Sequence, residues 1–194
     1  MPYYSFEKDL QPQPAPPADW QGTLAVLTPQ ELRAAALPAG LTAPVAPADP
    51  HESQFCWLRV DRTGVTGHLR TPPRPNQSAR RVGFTWCGDR LLVVDHDRVA
   101  ADCMARLSAQ SIRLPDSPDA FLTALLLYLI RDDLAYIQQL ETRLTNLERA
   151  VLDNDTGRFL HQMSVIRKEL NRTNRFYAQL GDFASTLLED AEDQ

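Results

Sequence analysis

From Pro118 the chain runs to Gly157 without another proline or glycine, and no other stretch constrains its fold so tightly. Ser117 can cap a helix, Pro118 suits its first turn, and Asp119 to Leu152 can continue as one helix about 50 Å long at 1.5 Å per residue. Within it Ile137, Leu140, Leu144, Leu147 and Val151 step by three and four, the spacing of a heptad seam. Asp153 to Gly157 reads as a turn. A second helix follows, with Met163, Ile166, Leu170, Thr173, Tyr177, Leu180, Ala184 and Leu187 in the same alternation. The spacing predicts an antiparallel helical hairpin. Extending the seam backward meets Asp133, and the pattern is kept if Leu134 takes the inward place and leaves Asp133 at the edge.

The first half is punctuated differently. Pro12, Pro14, Pro16 and Pro17 make residues 1–20 a proline-rich leader, expected to be extended and loosely held. Thr28-Pro29-Gln30-Glu31 is a helix start with a capping box, and the helix should end near Pro38. Phe55–Val60 and Gly64–Arg70 read as strands joined by a turn at Asp61-Arg62-Thr63. Arg81–Cys87 and Arg90–Asp95 form the clearest hairpin, turning at Gly88-Asp89. Leu91 to Val94 is continuously apolar, which fits a strand covered on both faces. Val99 to about Gln110 is a short helix with Val99, Cys103 and Leu107 on one face. These elements give an α/β subdomain over 21–115 and a hairpin over 116–194.

Composition narrows the function classes. Residues 1–115 carry twelve Arg/Lys against eleven Asp/Glu, and residues 116–194 eight against fourteen, so the hairpin holds the whole excess behind the net charge of −5. That balance argues against nucleic acid as the main partner. Of the twenty basic residues only Lys8 and Lys168 are lysines. Cys56, Cys87 and Cys103 are odd in number and widely spaced, which speaks for reduced thiols rather than a disulfide framework or a zinc site. The most apolar run, Ala120 to Ile130, is roughly half of what a spanning helix needs, and residues 1–17 do not resemble a signal peptide, so the fragment is expected to be soluble. There is no Walker loop, G-x-S-x-G elbow, G-x-G-x-x-G or H-E-x-x-H. Asp95-His96-Asp97 is the one close cluster of potential ligands and sits where a strand should end. The expectation is that the chain is not an enzyme.

The stretch Phe121-Leu122-Thr123-Ala124-Leu125-Leu126-Leu127-Tyr128-Leu129-Ile130-Arg131-Asp132-Asp133-Leu134 resembles the first long helix of the cytoplasmic domain in CorA-type magnesium transporters. The continuation Leu140-Glu141, Leu147-Glu148, Val151-Leu152 has that family's Leu-Glu rhythm, and Leu91-Leu92-Val93-Val94-Asp95 is similar to its last strands before the helix. The resemblance covers about Gln54 to Leu188. It implies an α+β fold, a small α/β/α sandwich on a mixed or mostly antiparallel sheet, followed by the long antiparallel hairpin. It also implies homo-oligomerisation (a pentamer in the full-length family) on the cytoplasmic side of the cell inner membrane. A further helix would lead into a transmembrane region not in this chain, the only contact with the membrane. The function implied is that of a cytoplasmic regulatory and assembly domain that senses divalent cations such as Mg2+ through carboxylates between subunits. Asp49 and Glu52 fall roughly where the family places one such site and are the candidate metal ligands. The alternative is a stand-alone soluble coiled-coil interaction or scaffold protein.

Overall fold

A computed structural model describes residues 3–8, 10–44, 55–75, 77–109, 114–152 and 159–192. A seven-stranded sheet comprises β1 (Tyr3–Ser5), β2 (Gln11–Gln13), β3 (Thr23–Leu27), β4 (Cys56–Asp61), β5 (Gly64–Arg70), β6 (Arg81–Cys87) and β7 (Arg90–Asp95). Helix α1 (Pro29–Ala34) follows β3, and α2 (Val99–Ala109), α3 (Pro118–Ile130), α4 (Asp133–Leu152) and α5 (Phe159–Glu192) follow β7. The strand order is β2-β1-β3-β7-β6-β5-β4, antiparallel throughout except for the parallel pair β3–β7. The mixed sheet and the α+β class are those the sequence leads one to expect.

The two hairpins form for local reasons. At β6–β7, Cys87 faces Arg90, and Gly88 supplies the positive φ (59°) that the first position of a tight turn needs. At β4–β5, Asp61 accepts hydrogen bonds from the amide and hydroxyl of Thr63. Gly64 is obligatory there, because a Cβ would lie 2.0 Å from the carbonyl oxygen of Trp86. Alternation along β3 and β7 then divides the core in two. Leu24, Val26, Leu91 and Val93 face a layer made by α2, α3 and α5. Ala25, Leu27, Leu92 and Val94 face the opposite side, where α1, Tyr3, Trp20 and Leu41 cover them. The domain is therefore a three-layer α/β/α arrangement, and β7 is covered on both faces as its apolar run predicts. Helix α1 carries the expected capping box, with Glu31 N–H donating to Thr28 Oγ1 and the Glu31 carboxylate accepting from Thr28 N–H.

Three expectations are corrected. The N-terminal stretch is not loosely held: β1 and β2 pair into the sheet, and Tyr3 packs edge-on against Trp20, both buried. Pro12 is tolerated because β2 is an edge strand. The long helix is not continuous, for α3 and α4 are separated at Arg131-Asp132. The two helices serve different surfaces, α3 the sheet and α4 its hairpin partner α5. Arg131 marks the break by returning its guanidinium to the carbonyl of Tyr128 while stacking 3.7 Å above that ring. Finally, Asp133 rather than Leu134 turns inward: Asp133 is 3% exposed and Leu134 69%.

The hairpin itself is antiparallel, and α5 also packs along β4. Leu140, Leu147, Ile166 and Thr173 are buried as the heptads predict, whereas Ile137, Leu144, Met163, Tyr177, Leu180, Ala184 and Leu187 are half-buried. Val151 and Leu170 are exposed. Glu169, Phe176 and Phe183 take the buried centre of α5, because that helix fills a groove between α4 and the sheet and not a two-helix seam alone. Among the described residues no helix is long and apolar enough to cross a membrane.

Candidate functional site

The connection between β5 and β6 lies against the interface of α4 with α5, and Arg74 reaches down from it. Its guanidinium pairs with Asp133 at the start of α4, and both side chains are nearly closed to solvent. The other oxygen of Asp133 accepts a hydrogen bond from Tyr177 Oη on α5 at 2.7 Å. One carboxylate thus ties together the sheet connection and both helices of the hairpin. Arg74 also lies over the ring of Tyr136 at 4.4 Å, and Tyr136 Oη donates to Glu169 at 2.9 Å. Glu169 receives the Arg143 guanidinium as well, at 2.7 and 3.3 Å. The order Arg74, Tyr136, Glu169, Arg143 makes a continuous polar chain along the α4–α5 interface.

This network explains why acids occupy core positions. A buried carboxylate is tolerated only when paired and hydrogen-bonded, and Asp133 and Glu169 each hold one arginine and one tyrosine. Within this network Arg74 Nε is buried without a hydrogen-bond partner among the described residues. A cavity of ≈ 600 Å3 opens beside the network, walled by Arg74, Gln77, Asp132, Gln139, Arg143 and Glu169 among others. With the buried carboxylates saturated by arginine and tyrosine, the arrangement joins the β5–β6 connection to both helices of the hairpin.

Burial, the hydrogen bond to Glu169 and the charge of Glu169 push the Tyr136 phenol up to about 12. Burial, followed by the bond to Asp133 and its charge, pushes Tyr177 still higher. A raised phenol is stabilising while protonated, so this contribution is complete below the ordinary tyrosine value of about 10 and is lost as pH rises through the folded value. The expected result is that Tyr136 and Tyr177 fail to ionise in a 295 nm absorbance titration until the protein unfolds above roughly pH 10. Tyr136→Phe and Tyr177→Phe should each remove one delayed step. Ordinary titration of all five tyrosines in the folded protein would refute the network.

The residues singled out from sequence fare unevenly. Asp49 and Glu52 lie outside the described residues. Asp95 is a helix cap: its carboxylate accepts from Val99 N–H at 2.7 Å and Ala101 N–H at 3.0 Å. Asp97 is held by Arg81 at 3.0 Å, and His96 lies edge-on to His68, with ring centroids 6.4 Å apart. The cluster is thus spoken for structurally. The cysteines are free; Cys56 and Cys103 are buried, and burial pushes their thiols up to about 12 and about 11. Arg74 and Glu169 escaped the sequence reading altogether. Glu169 could have been found, because it lies three residues from Ile166 and four from Thr173 on the same face; Arg74, inside a proline-rich connection, carries no such signal. Compared with known proteins, the chain matches no family model and no curated protein.

Proposed function

We propose that this chain is the cytoplasmic regulatory and assembly domain of a CorA-like divalent-cation transporter. The observation that supports it best is the order of layers. A sheet covered on both faces feeds from its last antiparallel pair, through α2 and α3, into a long antiparallel helix pair. That is the architecture the resemblance implies. The Arg74–Asp133–Tyr177 link suits the role, since a sensing domain has to pass a change at the sheet to the long helices without slack. The direct test is the reading frame beyond the codon for Gln194. Two apolar segments of about twenty residues each are expected, and their absence would reject the transporter.

Magnesium should then act on assembly. Binding in the millimolar range, roughly 4 kcal/mol, is typical of sites with few fixed carboxylates. If the ligands come from neighbouring subunits, the ion must also favour self-association. Sedimentation velocity at matched ionic strength should show a magnesium-dependent shift that sodium chloride does not reproduce. Asp49→Asn with Glu52→Gln should abolish it, and persistence of the shift would move the site elsewhere. A second reading, a coiled-coil interaction protein, is favoured by Leu134, Leu152 and Leu160, all exposed on the hairpin. It predicts association indifferent to magnesium.

A further inference from the structure

Helix α3 is apolar on nearly every side: Pro118-Asp119-Ala120-Phe121-Leu122-Thr123-Ala124-Leu125-Leu126-Leu127-Tyr128-Leu129-Ile130. Phe121, Leu122, Leu125 and Leu129 are used by the core, but Leu127 stands 61% exposed. A helix with so little polar surface normally has something on its outer side. Here that side borders an open cavity of ≈ 600 Å3 between α2 and α3, which is separate from the polar network. Ala120, Thr123, Ala124, Leu127 and Tyr128 line it from α3, and Leu107 lines it from α2. The spacing of the α3 residues keeps them on one face, so the groove follows the helix axis. From Ala120 to Arg131 it extends about 16 Å at 1.5 Å per residue, roughly the length of an extended twelve-carbon chain.

The charges on its walls are unequal. Arg131, at the C-terminal end of α3, and Arg106, on α2, are both lining residues. Arg106 makes no hydrogen bond or ion pair among the described residues. Arg131 is held in place by Tyr128 and by exposed Asp132, which leaves one terminal nitrogen of its guanidinium without a partner among the described residues. Asp116, the one acid lining the groove, precedes α3 at the opposite end from Arg131 and has a partner of its own. A mostly apolar slot of ligand size with a few placed polar groups is what small-molecule sites look like. With a cationic end, it selects an elongated apolar molecule bearing one anionic head.

We propose that the α2–α3 groove binds a medium-chain amphipathic anion of the fatty-acid class, its alkyl chain along Ala120–Leu127 and its carboxylate at Arg131. This does not depend on the transporter reading. Calorimetric titration of the whole chain with sodium dodecanoate should give one saturable site. Dodecanol, which lacks the charge, should bind weaker by about tenfold or more, as expected for loss of charge-assisted hydrogen bonds. Arg131→Gln should reproduce that loss. Thr123→Trp, at the exposed lip, should block the slot, and Ala124→Phe provides a second blocking variant. Circular dichroism checks that each remains folded. Binding of many equivalents, equal affinity for the alcohol, or unchanged binding in both blocked variants overturns the proposal. So does a dimer that Leu127→Arg dissociates while dodecanoate fails to bind, because the groove would then belong to a second copy.

Discussion

Asp133→Ala is expected to destabilise the fold by about 3–5 kcal/mol, the range for removing one member of a buried ion pair. The substitution leaves Arg74 charged and nearly enclosed, with no carboxylate to face, and strips Tyr177 of its acceptor. Domains of this kind have about 5–15 kcal/mol in total, so the variant should sit close to its unfolding threshold. Urea denaturation followed by circular dichroism measures it, and an unchanged slope keeps the comparison valid. Tyr177→Phe removes only one hydrogen bond to a charged group and should cost about 1.5–3 kcal/mol. The informative variant is the double one, Arg74→Met with Asp133→Leu. Since replacing a whole buried pair by apolar groups is often near neutral, it should be more stable than Asp133→Ala. A loss below about 1 kcal/mol for Asp133→Ala would mean that the pair is solvated and of the surface kind.

The same residue marks the limit of what heptad spacing reveals. Periodicity identifies both hairpin helices and places Leu140, Leu147, Ile166 and Thr173 inside. It also ranks Leu134 above Asp133 for the inward position, because a periodicity argument scores each residue by its own hydrophobicity. The contrary outcome depends on Arg74, which is 59 residues away in sequence. No local pattern carries information about a partner that distant. The β6–β7 and β4–β5 hairpins were legible for the opposite reason: their turns, Gly88-Asp89 and Asp61-Arg62-Thr63, are determined by the residues that form them. Strands β1 and β2 were hidden by being three residues long and, in β2, by a proline that only an edge position permits. The candidate site was the least legible part. Its acids look like surface acids until the arginines and tyrosines that meet them are brought together by the fold.

Phe176→Ala should cost about 3–5 kcal/mol, whereas Leu170→Ala should stay within about 1 kcal/mol, although heptad spacing puts Leu170 and not Phe176 on the seam. Phe176 is 2% exposed and Leu170 43%. The Phe176 ring meets Phe55 edge-on at 6.0 Å beside the start of β4 and Tyr177 at 5.4 Å. Gln179, one turn on, accepts hydrogen bonds from the amides of Phe55 and Cys56, and Phe183 then packs against Phe84. Phe176 therefore lies where α5 stops being the partner of α4 and becomes a cover for the sheet. Truncating it opens a cavity that neither surface can close, since the sheet is held by its ladder and α5 by Gln179 and Phe183 on the far side. The two variants should be compared by chemical denaturation, with hydrogen exchange of the β4 amides as a local readout. In Phe176→Ala the exchange at Trp57 should rise more than at Leu92 in the central strand. Equal stability of the two variants would show that α5 meets the sheet along a different face, with Leu170 inside.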